Sequence, residues 1–157
     1  MFDVVLHTPE IAPNTGNLMR LTVNAGCRLH LIEPLGFSLD EARLRRAGLD
    51  YRDYAEVEVH GSFDGFLVTV RPRRIFAFTP KAARRYTDVA YEEGDALLFG
   101  RESAGLPAAV LGHGAITDRV RIPVVARGRS LNLANAAAIA VYEAWRQHDF
   151  SGAEEPS

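Results

Sequence analysis

Residues 96–106 read Ala-Leu-Leu-Phe-Gly-Arg-Glu-Ser-Ala-Gly-Leu, and this stretch decides the fold. Its four leading apolar residues form a run of strand length that can be covered on both faces, as in a parallel sheet. Gly100 ends the run, and Gly100 and Gly105 permit close backbone approach or a positive φ. Glu102 sets a carboxylate on this tight loop, suited to a hydroxyl or to a helix N-terminus. The end of such a strand is where open α/β sheets hold their ligands.

The same alternation extends outward in both directions. Apolar runs predict strands over residues 2–6, 28–32, 74–79 and 120–123, with a weaker one over 55–60. Helices are predicted over 14–25, opened by Asn14 or Thr15 as a cap and closed by Gly26, and over 62–70 and 131–147. Ser38 and Glu41 make a capping-box pattern ahead of a helix over 42–47. The β–α alternation predicts an α/β fold, a mostly parallel sheet covered by helices on both faces. Residues 1–150 read as a single domain, and the tail 151–157, Ser-Gly-Ala-Glu-Glu-Pro-Ser, has a disordered composition.

Composition narrows the function classes. The 157 residues are 47% apolar and 24% charged, the balance of a globular protein. No run of 18 apolar residues is present, so no membrane-spanning helix is expected. The N-terminus lacks the pattern of a signal peptide, and a cytoplasmic location is expected. Cys27 is the only cysteine, and the five histidines lack zinc-site spacing, so no metal is expected. The net charge of −2 conceals basic clusters at Arg43, Arg45 and Arg46, at Arg71, Arg73, Arg74, Lys81, Arg84 and Arg85, and at Arg119, Arg121, Arg127 and Arg129. Such clusters serve as phosphate-binding faces or as solvated surface. The G-x-G-x-x-G fingerprint and the P-loop are both missing, so a cofactor site has to be built by other means.

Three segments carry candidate chemistry. Asn14-Thr15-Gly16-Asn17-Leu18-Met19-Arg20 opens a helix, whose free N–H groups and dipole favour a phosphate. Asn17 and Arg20 lie one turn apart on a shared face. The second segment is residues 98–106. The third joins Ile122-Pro123 to Arg129-Ser130-Leu131-Asn132-Leu133-Ala134-Asn135-Ala136-Ala137, where Ser130 or Asn132 can cap the long helix. Asn132 and Asn135 are odd choices for an apolar helix unless both are paired.

In this order the three segments resemble the motifs of the SPOUT methyltransferases. The match runs N-x-G-N-x-x-R, F-G-x-E-x-x-G-L and I-P…S-L-N-L-x-N-A, and is closest to the small tRNA wobble-nucleotide 2′-O-methyltransferases. The likeness extends from about residue 4 to 146 and includes Pro9-Glu10-Ile11, Ile32-Glu33-Pro34 and residues 44–51 and 141–146. It implies a C-terminal deep trefoil knot, against the general rarity of knots.

The resemblance also implies S-adenosyl-L-methionine as methyl donor, S-adenosyl-L-homocysteine as product, and a homodimer acting on the anticodon stem-loop of tRNA. Position 34, cytidine or modified uridine, is the implied target, and its ribose 2′-oxygen the implied nucleophile. The implied cofactor residues are Phe78, Thr79, Gly100, Glu102, Ile122, Ser130, Leu131 and Asn132. Arg20 is the implied catalytic residue, with Asn14, Ser130 and Asn135 as candidates to orient the substrate or a proton-accepting water. Ser103-Ala104 departs from the threonine and basic residue that close relatives often carry, which bears on tRNA choice. The alternatives are 2′-O-methylation at another tRNA or rRNA position, a non-catalytic RNA-binding protein of the same fold, and a flavodoxin-like nucleotide binder.

Overall fold

The computed structural model describes residues 1–39 and 56–157. In chain order the elements are β1 (Asp3–His7), α1 (Ala12–Ala25), β2 (Arg28–Ile32), β3 (Val57–His60), α2 (Phe63–Val70), β4 (Ile75–Phe78), β5 (Arg84–Arg85), β6 (Ala96–Phe99), α3 (Ala108–Leu111), β7 (Asp118–Arg121) and α4 (Leu133–Arg146). The seven strands form one sheet in the order β3-β2-β1-β6-β4-β7-β5. Every pairing among them is parallel. The predicted helix over 42–47, its capping partner Glu41 and the arginines at 43, 45 and 46 lie outside the described residues.

Side-chain alternation along the strands splits the interior into two cores. Val4, Leu6, Leu29, Leu31, Phe76, Phe78, Leu97, Phe99 and Val120 face one way and meet Leu18 and Met19 of α1 and Ala137, Ala140, Val141 and Ala144 of α4. Val5, Ile32, Ile75, Ala77, Ala96 and Leu98 face the other way, against Phe63 and Phe66 of α2 and Val110 of α3. Helices therefore cover both faces, as the β–α alternation predicts. The alanine stripe of α4 lets its backbone settle close to the sheet.

Most boundaries shift by one or two residues from those read in the sequence. The instructive difference is at α1, which starts at Ala12 rather than Asn14. Ile11 occupies the cap position with no capping side chain, and Pro13 is tolerated because the first turn lacks intrahelical acceptors for its N–H groups. At the other end Gly26 takes a left-handed conformation, φ 66°, and closes the helix as expected. Ser62 caps α2 by accepting from the Gly65 N–H at 3.0 Å. Asn132, not Ser130, caps α4. Beyond α4 the Trp145 indole N–H donates to the Ser151 carbonyl at 3.0 Å, and the turn continues to Ala153.

Candidate active site

β4 lies between β6 and β7, and all three run in the same direction, so their C-terminal ends form one continuous edge. The chain leaves this edge through residues 79–83, 100–107 and 122–132. These loops and the strand ends they leave hold every cofactor candidate read from the sequence: Phe78 as the last residue of β4 and Thr79 after it, Gly100 and Glu102 after β6, and Ile122, Ser130, Leu131 and Asn132 after β7. Phe78 and Phe99 stack with ring centroids 4.6 Å apart, forming an apolar floor where β4 and β6 end. Ile122 packs against the same core. Thr79 fastens its loop by donating its N–H to the Val120 carbonyl at 2.9 Å.

The β6 loop is closed upon itself. The Gly105 N–H donates to the Arg101 carbonyl at 2.9 Å, and Gly105 adopts φ +68°. A Cβ on Gly100 would lie 2.1 Å from the Gly105 carbonyl carbon and 2.2 Å from the Leu106 nitrogen, so no side chain fits there.

Glu102 projects from this loop onto the start of α1. Its carboxylate accepts the Glu10 N–H, at 2.9 Å through one oxygen, and also the Ile11 N–H. An ionised acceptor thus covers the positive end of the helix dipole. The contact is reciprocal, because the Glu10 carboxylate accepts both the Ser103 N–H, at 3.0 Å, and the Ser103 hydroxyl. These bonds, the hydroxyl's foremost, hold Glu10 below the usual carboxylate range. Ser103, the departure noted in the sequence, is thus a working member of the clasp. Arg101 adds a tie by donating to the Thr8 hydroxyl at 3.2 Å. Glu10 is marked in the sequence only by the Pro9-Glu10-Ile11 likeness and Thr8 not at all, since a spacing of 93 residues carries no local pattern.

The starts of α1 and α4 meet through asparagines. The Asn132 side-chain oxygen Oδ1 accepts the N–H groups of Ala134 and Asn135, at 2.9 and 3.2 Å, and caps α4. Its amide nitrogen donates to the Asn14 side-chain oxygen at 3.0 Å. The pairing that the sequence demands of Asn132 is thereby met, while Asn135 is exposed with its side chain outward. Asn14 is buried in the first turn of α1, where it contacts Asn132 rather than capping its own helix.

Arg20 sits on the exposed side of α1 with Asn17, as their spacing predicts. It lies eight residues past the helix start, about 12 Å along the axis. Arg127, Arg129, Ser130 and Leu131 are exposed on the long loop before α4. The remaining basic residues divide by role. Arg74 is bonded to Asp95, and Arg84 to Asp118 at 2.6 Å, so both serve the fold.

Comparison with known proteins agrees with this arrangement. Residues 1–142 match the model of the SpoU rRNA Methylase family. The chain is 51% identical, over 98% of its length and 99% of the other's, to a tRNA (cytidine(34)-2′-O)-methyltransferase of Methylovorus glucosotrophus. It is 49% identical, over 98% of each chain, to the protein of that name from Escherichia coli K12. A solved structure from work on 2-OH methylation of C/U34 on tRNA superposes with a TM-score of 0.88 at 44% identity, covering 96% of this chain and 97% of that one.

Proposed function

The chain belongs to the SpoU rRNA Methylase family, and from that premise we propose that it methylates the ribose 2′-oxygen of nucleotide 34 in tRNA, using S-adenosylmethionine. The observation that carries this reading is the 51% identity over 98% of the chain to a tRNA (cytidine(34)-2′-O)-methyltransferase. Cytidine and modified uridine are both proposed as the target base, and the anticodon stem-loop as the part of tRNA that is bound.

The residues at the sheet edge fit such a donor. Phe78 and Ile122 offer apolar surface, and the exposed backbone of Ser130 and Leu131 offers hydrogen-bonding groups for a base. Gly100 keeps the β6 loop tight, and Glu102 holds that loop against α1. Thr79 and Asn132 complete the rim. When bound, the donor supplies a methyl group on a positively charged sulfur, so the protein's task is to place a 2′-hydroxyl in line and help it lose a proton.

Arg20 is the proposed catalytic residue, as an electrostatic partner and not as a base. A guanidinium stays protonated at any working pH, so Arg20 holds a substrate phosphate and stabilises negative charge growing on the 2′-oxygen. Asn14, Ser130 and Asn135 orient the substrate or a proton-accepting water. A homodimer, with each site completed by a second copy, belongs to the same reading. So do the C-terminal deep trefoil knot and a cytoplasmic location. No helix among the described residues is long and apolar enough to cross a membrane.

The test is methyl transfer from labelled S-adenosylmethionine into unmodified tRNA, with the labelled nucleotide mapped. Label on the ribose of nucleotide 34, abolished by Arg20→Ala and poorly restored by Arg20→Lys, is the expected result. Label confined to another nucleotide or to ribosomal RNA would overturn the substrate. Full turnover by Arg20→Lys would overturn the need for a planar fork.

A further inference from the structure

At the opposite end of the sheet, beneath Phe66 of α2, a group of polar side chains plays no part in the proposed reaction. His30 on β2 is 2% exposed and His60 on β3 is 5% exposed. Their rings are 5.4 and 5.3 Å from the Phe66 ring. His30 Nδ1 and His60 Nε2 are 3.0 Å apart. A Glu58 carboxylate oxygen lies 3.7 Å from the first and 4.0 Å from the second. These atoms form a triangle open toward solvent on the side of Glu58, whose side chain is 51% exposed.

We propose that His30 Nδ1, His60 Nε2 and a Glu58 oxygen bind a divalent transition-metal ion of the zinc type, with water as fourth ligand. A tetrahedral ion with bonds of about 2.0–2.1 Å sets its ligand atoms about 3.3–3.4 Å apart. Reaching that spacing requires the two nitrogens to part by a few tenths of an ångström and the mobile carboxylate to close by about half an ångström. The set of two imidazoles and one carboxylate is suited to zinc.

The surroundings prepare these ligands. His30 Nε2 lies 3.0 Å from Asp3 Oδ1, and Asp3 also takes two bonds from Arg28, at 2.8 and 3.0 Å. With Asp3 as the acceptor, a proton on His30 Nε2 leaves the Nδ1 lone pair toward His60. A carboxylate behind a ligating histidine is the usual outer partner of a metal site. Without the ion, one of these two nitrogens donates to the other at 3.0 Å; with it, both lone pairs face the ion and the protons lie on the outer ring nitrogens. The ion would clip β3 to β2 where the sheet ends. Sequence spacing could not reveal the group, because its residues meet only through the pairing of His30 with Glu58 across neighbouring parallel strands.

The test uses the tag-free full chain, stripped by a chelator and titrated with Co(II) and then Zn(II). Expected is one ion per chain, the visible absorption of four-coordinate Co(II), and its loss on adding Zn(II). At a hundredfold excess over Kd, Zn(II) should raise Tm by about 5–10 °C. His60→Gln and Glu58→Gln should each weaken binding at least about tenfold, and Asp3→Asn by about 10- to 100-fold. Failure of the unmodified chain to take up either ion overturns the proposal, as does undiminished binding by either ligand variant. If His60→Gln does not fold, Glu58→Gln decides alone, because Glu58 is half-exposed and its replacement leaves the core intact.

Discussion

Replacing Glu102 with alanine removes the acceptor of the Glu10 and Ile11 N–H groups, the two residues that lead into α1. Loss of a helix cap costs about 1 kcal/mol, and loss of a favourable charge at the dipole adds about 0.3–1 kcal/mol. Water reaches this half-buried site and softens both effects, so a total of about 1–2 kcal/mol is expected. For a chain of this size that lowers Tm by about 2–8 °C. Glu102→Gln keeps one acceptor oxygen and loses the charge, so it should fall between alanine and the parent. The dipole share is screened by salt, and the gap between the two variants should narrow at high ionic strength. Urea and thermal unfolding of all three proteins, alongside measured cofactor affinity, give the assay. An alanine variant melting within about 1 °C of the parent while losing cofactor affinity would refute the reasoning, because Glu102 would then act on the ligand and not on α1.

Three further outcomes follow from the geometry. Gly100→Ala forces a methyl group onto the Gly105–Leu106 backbone at 2.1–2.2 Å, so the β6 loop must reopen; stability should drop by about 2–3 kcal/mol in unfolding curves, and methyl transfer should fall with it. Asn132→Ala loses both cap bonds of α4 and the bond to Asn14, for about 1–2 kcal/mol, and Asn132→Ser should recover most of the cap but not the bond to Asn14. Tyr91 is 3% exposed and donates its hydroxyl to the Tyr86 carbonyl at 2.7 Å. Burial, then the charge of Glu143, raises the Tyr91 hydroxyl above its ordinary value of 10.0. This contribution is complete below pH 10 and is lost as pH rises beyond it, because only the unfolded chain then releases the proton readily. Tyr91→Phe should cost about 1 kcal/mol at neutral pH and flatten the alkaline decline in a pH series of denaturant midpoints.

The sequence was most readable where one residue's neighbours in the chain are also its neighbours in space. The runs at residues 28–32 and 96–99 gave strands with those bounds, and Gly26 and Ser62 marked a helix end and a helix start. The gathering of Phe78, Gly100 and Ile122 at one edge followed from parallel strands. The resemblance supplied the chemistry proposed there, which residue types alone left open. What escaped was made by distant partners. α1 begins two residues early, and the segment leading into it is fastened by Glu102, 91 positions from Ile11, which no local pattern records. β5 is a pair of exposed arginines with no apolar signature, held by its register with Val120 and Arg121 and by the bond from Arg84 to Asp118. The order of strands was equally hidden, since nothing local to residues 96–99 says that they lie between β1 and β4.

That last placement shapes how the chain must be assembled during synthesis. β1 emerges early and can pair with β2 within a few tens of residues, but its other edge belongs to β6, through Asp3 with Ala96. At about 5–20 residues per second, roughly 90 residues of translation leave that edge bare for about 5–20 s. The waiting strand reads Asp-Val-Val-Leu-His, an apolar template for foreign strands. The nascent N-terminal half is therefore the aggregation-prone stage of this protein's life, and the ribosome-bound fragment ending before residue 96 is the species on which chaperones have most to do.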